Sequence, residues 1–215
     1  MLQAAHIGIQ IQKSNEFQIL GASDYVIPHF NVLRHLLFFH GRLGYLRLST
    51  VILWLVFKAV FLVFPLFFFN FISGWSAPNL YSWLSKISFT FFWTSLPIII
   101  YGIQEVDIPL SQHLYLPILY VLSRRHSHLN FTKFIIWLME ATLFSLISFL
   151  FFIFTLWEPS VNSIKQRGID MAGFGCMLLI NVILCSNMKL LMESHRWTYL
   201  FLWTLFFLSS ILLFL

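Results

Sequence analysis

The stretch "VILWLVFKAVFLVFPLFFF", Val51 to Phe69, decides the fold class. It holds one charge, Lys58, in an otherwise apolar run. An α-helix rising 1.5 Å per residue needs about 20 such residues to cross a hydrocarbon core of about 30 Å. Four further stretches read the same way, so spans are expected over about 49–71, 84–103, 134–156, 170–192 and 196–215. Composition agrees. The chain has 215 residues, 59% of them hydrophobic and 10% charged, with 26 Phe and 8 Trp, whereas a soluble domain is about a quarter charged. The expected class is an all-α polytopic membrane protein with five transmembrane helices.

The opening residues, "MLQAAHIGIQIQKSNEFQ", are mixed and polar and do not read as a secretory leader, so an internal span is expected to direct insertion. Cys176 and Cys185 share one apolar segment and read as small buried hydrophobes rather than a disulfide or a metal pair. A net charge of +5 fits loops that meet anionic lipid and not a nucleic-acid partner. Lys and Arg set the orientation. With the N-terminus in the cytoplasm, the inner side holds Lys13, Arg34, Arg42, Arg47, Arg124, Arg125, Lys133, Lys189 and Arg196. The outer side then holds only Lys86, Lys165 and Arg167. The N-terminus is therefore expected inside, with the protein an integral multi-pass membrane protein.

Residues 1–30 read differently from the rest. "HIGIQI" alternates and "SDYVIP" is short and β-prone, which predicts two strands. Two short strands are not stable alone in water, so they read as the edge of a larger α/β domain. Residues 31–48 read as an amphipathic basic helix connecting that edge to the membrane domain of residues 49–215.

Lys58 poses the functional question. An ammonium at the bilayer centre costs at least about 2.5–3.5 kcal/mol on insertion scales. About nine residues into its span, it lies near mid-membrane. One reading is structural, a snorkelling lysine or one paired between helices. The other is a lysine facing a transport path. Trp54, Lys58, Leu62 and Pro65 recur at spacings of four, four and three, so they share a helix face. Pro65 leaves the Phe61 carbonyl without its usual partner and can kink the span. In the second span, Thr90, Thr94 and Ser95 precede Pro97. Their hydroxyls either bond back to carbonyls of their own helix or line a path for a lipid headgroup. Glu140, inside the third span, expects a partner or protonation, and Asn181 reads as inter-helix glue. The pair His126 and His128 lacks further metal ligands.

Several stretches together resemble the C-terminal third of a type IV P-type ATPase, the phospholipid-translocating flippases. "MLQAAHIGIQI" is similar to the segment that follows the family's Gly-Asp-Gly-x-Asn-Asp loop, matching at Met1, Gln3, Ala5, His6, Gly8, Ile9 and Ile11. "SDYVIPHFNVLRHLLFFHGRLGYLR" resembles the family's next run at Ser23, Asp24, Tyr25, His40, Gly41, Arg42, Tyr45 and Arg47 among others. "TSLPIIIYGIQEVD" is similar to its Thr-Ser-Leu-Pro and Gly-x-x-Asp/Glu-x-Asp, here Thr94, Ser95, Leu96, Pro97, Gly102, Glu105 and Asp107. "MKLLMESHRWT" looks like its Leu-Lys-x-x-Leu-Glu-x-x-x-Trp-Thr, with Lys189, Glu193, Trp197 and Thr198. The order and spacing of these motifs carry the resemblance.

The resemblance implies that residues 1–30 end the family's phosphorylation domain and that the spans correspond to its fifth through ninth. It implies a function: moving phospholipid between leaflets, driven by ATP hydrolysis elsewhere in the enzyme. Flippases carry a lysine in a Phe-Tyr-Lys-Asn context in this span; here Phe57 and Lys58 match and Ala59 replaces the asparagine. The lipid-transport candidates are thus Lys58, Pro65, Thr90, Thr94, Ser95 and Pro97. ATP and Mg²⁺ are implied as cofactors of the whole enzyme. Phospholipid is the implied partner, with a two-span accessory subunit in many members. The family's Asp-Lys-Thr-Gly-Thr nucleophile motif does not occur in this sequence, and none of Glu16, Asp24, Glu105, Asp107, Glu140, Glu158, Asp170 and Glu193 stands in such a context. The chain alone is therefore expected to be inactive, as a fragment of a longer product or a truncated copy. The alternative is a non-catalytic membrane scaffold. A third class, a polytopic acyltransferase, would need an interfacial His or Asp cluster that the sequence lacks.

Overall fold

The computed structural model describes residues 5–11, 23–76, 79–108, 118, 121, 127–156 and 171–214. His126, residues 158–170 and the charges Lys13, Arg124 and Arg125 lie outside them. Contacts divide the chain into two compact units, residues 1–46 with 108–127 and residues 47–107 with 128–215.

In the first unit, β1 (Ile9–Ile11) pairs in parallel with β2 (Tyr25–Ile27), Ile9 opposite Tyr25 and Ile11 opposite Ile27. Gly8 pins the pair. Its N–H donates to Asp24 Oδ2 at 2.8 Å, and its carbonyl accepts from the N–H groups of Asp24 and Tyr25. These are the two strands expected from "HIGIQI" and "SDYVIP".

Among the described residues, five helices follow: α1 (Val32–Ile72), α2 (Trp83–Gln104), α3 (Phe131–Leu156), α4 (Met171–Glu193) and α5 (Tyr199–Phe214). Among the described residues, four helices are long and apolar enough to cross a membrane: Val32–Ile72, Trp83–Gln104, Phe131–Thr155 and Gly173–Glu193. The fifth expected span falls on α5, which has 16 described residues. The segment read as a separate connecting helix is continuous with the first span. A wider π turn over Leu36–Gly41 joins its first turn to the long α-helix Arg42–Ile72, because Gly41 and Gly44 sit within helical backbone rather than ending it.

The core of the second unit lies where α1 meets α4. Trp54, Phe57 and Phe61 on α1 and Leu178, Val182, Ile183 and Leu190 on α4 are fully buried. The Trp54 indole N–H donates to the Ser186 carbonyl at 3.0 Å, so its polar end is satisfied inside the core. On α3, Ala141, Ser145 and Ser148 recur at four and three residues and are all buried. Small residues at that spacing let helix backbones approach closely, the usual packing device where lipid removes the hydrophobic driving force. Outward-facing side chains such as Phe91, Phe92, Phe151, Phe154 and Phe206 are large, apolar and exposed, as a lipid-facing surface requires.

Glu140 finds its partner across this packing. Lys189 Nζ lies 2.7 Å from Glu140 Oε2 and 4.6 Å from the Trp137 ring centre. Removing one member of such a pair costs more than removing both, since the survivor is left uncompensated. In a double-mutant cycle, Glu140→Gln or Lys189→Met alone is expected to lower the unfolding midpoint in detergent, and the double variant to recover part of that loss. Strict additivity of the two losses would show that the pair is not coupled.

Candidate functional site

Lys58 sits sixteen residues after Arg42 and fourteen before Ile72, near the middle of the long helix. It is only 8% exposed. Its ammonium donates to Thr94 Oγ1 at 3.0 Å and lies 5.1 Å from the centre of the Trp54 ring, one turn earlier. A lysine on an apolar helix is thus held in the bundle core by a hydroxyl and an aromatic face. No carboxylate pairs with it among the described residues. This cation is the chemical asset of the site.

Its partner stands at a break in α2. Trp83–Ser88 is α-helical, Phe89–Trp93 opens into a π turn, and Ser95–Gln104 resumes as α-helix. Pro97 explains part of this, since it has no N–H to give the Trp93 carbonyl four residues earlier. The wider turn frees further carbonyls, and nearby side chains take them up. Thr94 Oγ1 donates to the Phe89 carbonyl at 2.8 Å, and the Ser95 hydroxyl donates to the Thr90 carbonyl. The Trp93 carbonyl accepts from Asn187 Nδ2 of α4 at 3.4 Å. The Thr94 hydroxyl therefore does two jobs: it accepts from Lys58 and donates to its own helix.

The structure brings together some of the sequence candidates and separates others. Lys58 and Thr94 touch. Pro97 is fully buried and creates the break beside them. Ser95 is half-buried and bonds within its helix. Pro65 is fully buried inside α1, two turns beyond Lys58. Thr90 is exposed and donates to the Lys86 carbonyl at 3.1 Å, so it is not gathered at Lys58. Asn181, read as inter-helix glue, accepts from Cys185 Sγ on its own helix at 3.6 Å. The helix-crossing carboxamide is Asn187, which the sequence reading passed over. The signal that could have found it is its match to the carbonyl that Pro97 must leave free.

A second polar cluster ties the far end of α2 to its neighbours. Arg47 Nε donates to the Glu105 carbonyl at 2.7 Å, and Glu105 Oε1 accepts the His195 N–H at 2.7 Å. Thr198 donates to the Gln104 side chain. One short segment thus fixes the start of the membrane part of α1 and the turn between α4 and α5. Glu105 is buried and its carboxylate is spent on backbone, so it reads as an anchor. Among the described residues, no group of three or more His, Cys, Asp or Glu side chains could hold a metal ion.

Known proteins share this chain's pattern. The family model described as the phospholipid-translocating P-type ATPase C-terminal region matches residues 20–215. Among the similar proteins, a guanylate cyclase of Toxoplasma gondii is 35% identical, across 100% of this chain and 5% of its own length. Guanylate cyclase alpha of Plasmodium falciparum is 34% identical, across 92% of this chain and 5% of its own. Phospholipid-transporting ATPase IH of Mus musculus is 28% identical, across 93% of this chain and 17% of its own. The chain thus spans a small part of each of these relatives.

Proposed function

We propose that this chain, which belongs to the phospholipid-translocating P-type ATPase family through that family's C-terminal region, forms the membrane part of a transporter that moves phospholipid between leaflets. The observation that carries this reading is the Lys58–Thr94 contact at the break of α2. A buried cation without a carboxylate partner among the described residues is matched to an anionic group, and the phosphate of a phospholipid headgroup is one. The cost of holding the ammonium in the core is offset when that phosphate arrives. Lys58 and Thr94 are both buried, so a headgroup reaches them only when the helices part. The discontinuous α2 is the element suited to move, since broken spans place polar backbone at membrane depth where a cavity opens.

The N-terminus is cytoplasmic in this reading. ATP and Mg²⁺ serve the phosphoryl chemistry of the whole enzyme. A two-span accessory subunit is a further expected partner of the whole enzyme.

The test is lipid-stimulated ATP hydrolysis by the full-length gene product. Lys58→Ala is expected to lower the stimulation about tenfold, the worth of one charge-assisted hydrogen bond, while leaving basal hydrolysis in place. Unchanged stimulation would sink the reading.

The guanylate cyclase relatives favour a second reading. They match across the chain at 35% and 34% identity, yet it makes up only 5% of each. In that reading the transporter-like membrane region belongs to a much larger protein whose chemistry is nucleotide cyclisation. Production of cyclic GMP by the full-length product would support it.

A further inference from the structure

A cavity of about 290 Å³ lies where the segment before α2 packs on α4, and neither Lys58 nor Thr94 lines it. Its floor is made of buried residues, Leu80, Tyr81, Gly175 and Leu179. Exposed residues, Ser82, Leu84 and Cys176, form its mouth. The floor is closed because the Leu80 backbone presses on Gly175, where a Cβ would stand 1.8 Å from the Leu80 carbonyl oxygen. Tyr81 is 2% exposed, and its hydroxyl has no hydrogen-bond partner among the described residues. A buried phenol normally finds one. The cavity is the open space that Tyr81 borders, so the missing partner belongs to an occupant.

The chemistry of the walls selects that occupant. None of the lining residues is charged, so neither a phosphate nor an ammonium is matched there. Leu179, Ile180 and the half-buried Trp93 offer apolar contact, and Ser82, Ser85 and Ser88, three residues apart, add hydroxyls to that of Tyr81. Trp75 and Trp83, on the same connection between α1 and α2, are 64% and 72% exposed. Exposed tryptophans mark the membrane–water interface. A neutral membrane lipid keeps its polar group at that depth. We propose that the cavity is a sterol site, with the fused rings against Trp93 and the leucines and the sterol hydroxyl bonded to Tyr81. A rigid ring body gives up little conformational freedom on binding. The volume stands near the lower limit of small-molecule sites, about 300 Å³, so it takes the hydroxyl-bearing end while the sterol tail stays in lipid. The sterol is a resident ligand and not cargo, and the site does not depend on the lipid-transport reading above.

Photo-crosslinking tests the assignment. The full-length gene product is placed in phosphatidylcholine nanodiscs with a diazirine-bearing cholesterol, and labelled peptides are mapped by mass spectrometry. Labelling is expected within residues 80–93 and 175–180, and excess cholesterol is expected to compete it away. Tyr81→Phe is expected to lower capture about fivefold, the worth of one neutral hydrogen bond. Labelling scattered over the lipid-facing helices, or unchanged in Tyr81→Phe, would overturn the proposal. So would equal competition by diacylglycerol or oleate, which would mark the cavity as a groove for acyl chains.

Tyr81→Phe also checks its own premise. It removes a hydroxyl that bonds to nothing among the described residues, so its unfolding midpoint in sterol-free detergent is expected to hold or rise. A fall would show that the hydroxyl is bonded within the protein, and the proposal would fail. Cys176 at the mouth gives a second readout. Its alkylation by N-ethylmaleimide, followed at that one peptide, is expected to slow as cholesterol is added to the nanodiscs. Tyr81→Phe is expected to need about fivefold more cholesterol for the same protection. Equal protection in the two proteins would be an effect of the bilayer and would count against a site at Tyr81.

Discussion

Gly175→Ala is expected to destabilise the bundle by about 3 kcal/mol, in the upper range for forcing extra atoms into a packed core. A Cβ built at Gly175 would stand 1.8 Å from the Leu80 carbonyl oxygen and 2.9 Å from its carbonyl carbon. Both atoms are backbone, so no side-chain rotation relieves the clash. Either α4 or the segment before α2 must shift. That segment is not free to do so, because Leu80 and Tyr81 are buried and line, with Trp93 and Leu179, a concavity of about 290 Å³ against Gly175. The Tyr81 hydroxyl is itself buried without a partner among the described residues, and burial pushes its phenol well above the usual range. Thermal unfolding of the detergent-solubilised protein, followed by tryptophan fluorescence, should show a midpoint lowered by roughly 6–12 °C. Gly102→Ala is the control. A Cβ there meets nothing within 4 Å, and alanine favours helix over glycine, so its midpoint should hold or rise. Equal midpoints for the two variants would mean that the Leu80 carbonyl does not press on α4.

Thr94→Val should be nearly as costly, at about 3 kcal/mol, although it changes one hydroxyl into one methyl. Valine keeps the shape and removes both hydrogen bonds. The Lys58 ammonium loses its only hydrogen-bond acceptor among the described residues, and the Phe89 carbonyl loses its donor at the π turn. A buried charged donor left open is the expensive half of a broken hydrogen bond. Thr94→Ser keeps both bonds and gives up one methyl, worth about 0.8 kcal/mol. The ordering wild type, serine, valine is therefore expected in unfolding midpoint and in lipid-stimulated hydrolysis alike. A serine variant as damaged as the valine variant would show that packing, and not the hydroxyl, holds the site.

The membrane architecture was legible because hydropathy over about 20 residues is a physical requirement of the bilayer. The same logic made Lys58 visible, since one charge in an apolar run stands out. Thr94 and Pro97 were legible as a pair because both disturb a helix. Their division of labour was not. Nothing local says that Thr94 and not Thr90 turns toward Lys58, because the π turn over Phe89–Trp93 shifts the helical phase between them. Asn187 and Gly175 were missed for a related reason. Each is defined by a backbone carbonyl on another element, Trp93 and Leu80 respectively, and single-chain periodicity carries no information about such crossings. Glu140 was expected to need a partner, and α4 supplied Lys189 from 49 residues away. The boundary between the connecting helix and the first span has no local signal, since helical backbone runs without a break from Val32 to Ile72.

The most direct test is movement of the lipid itself. The full-length gene product is reconstituted into vesicles with a fluorescent phospholipid, and the fraction of lipid open to an impermeant quencher is followed after ATP is added. ATP-dependent transfer between leaflets by the wild-type protein, slowed about tenfold or more in Lys58→Ala, is the predicted result. Transfer that needs no ATP, or that proceeds at the wild-type rate in Lys58→Ala, would contradict the placing of a lipid path at Lys58 and Thr94.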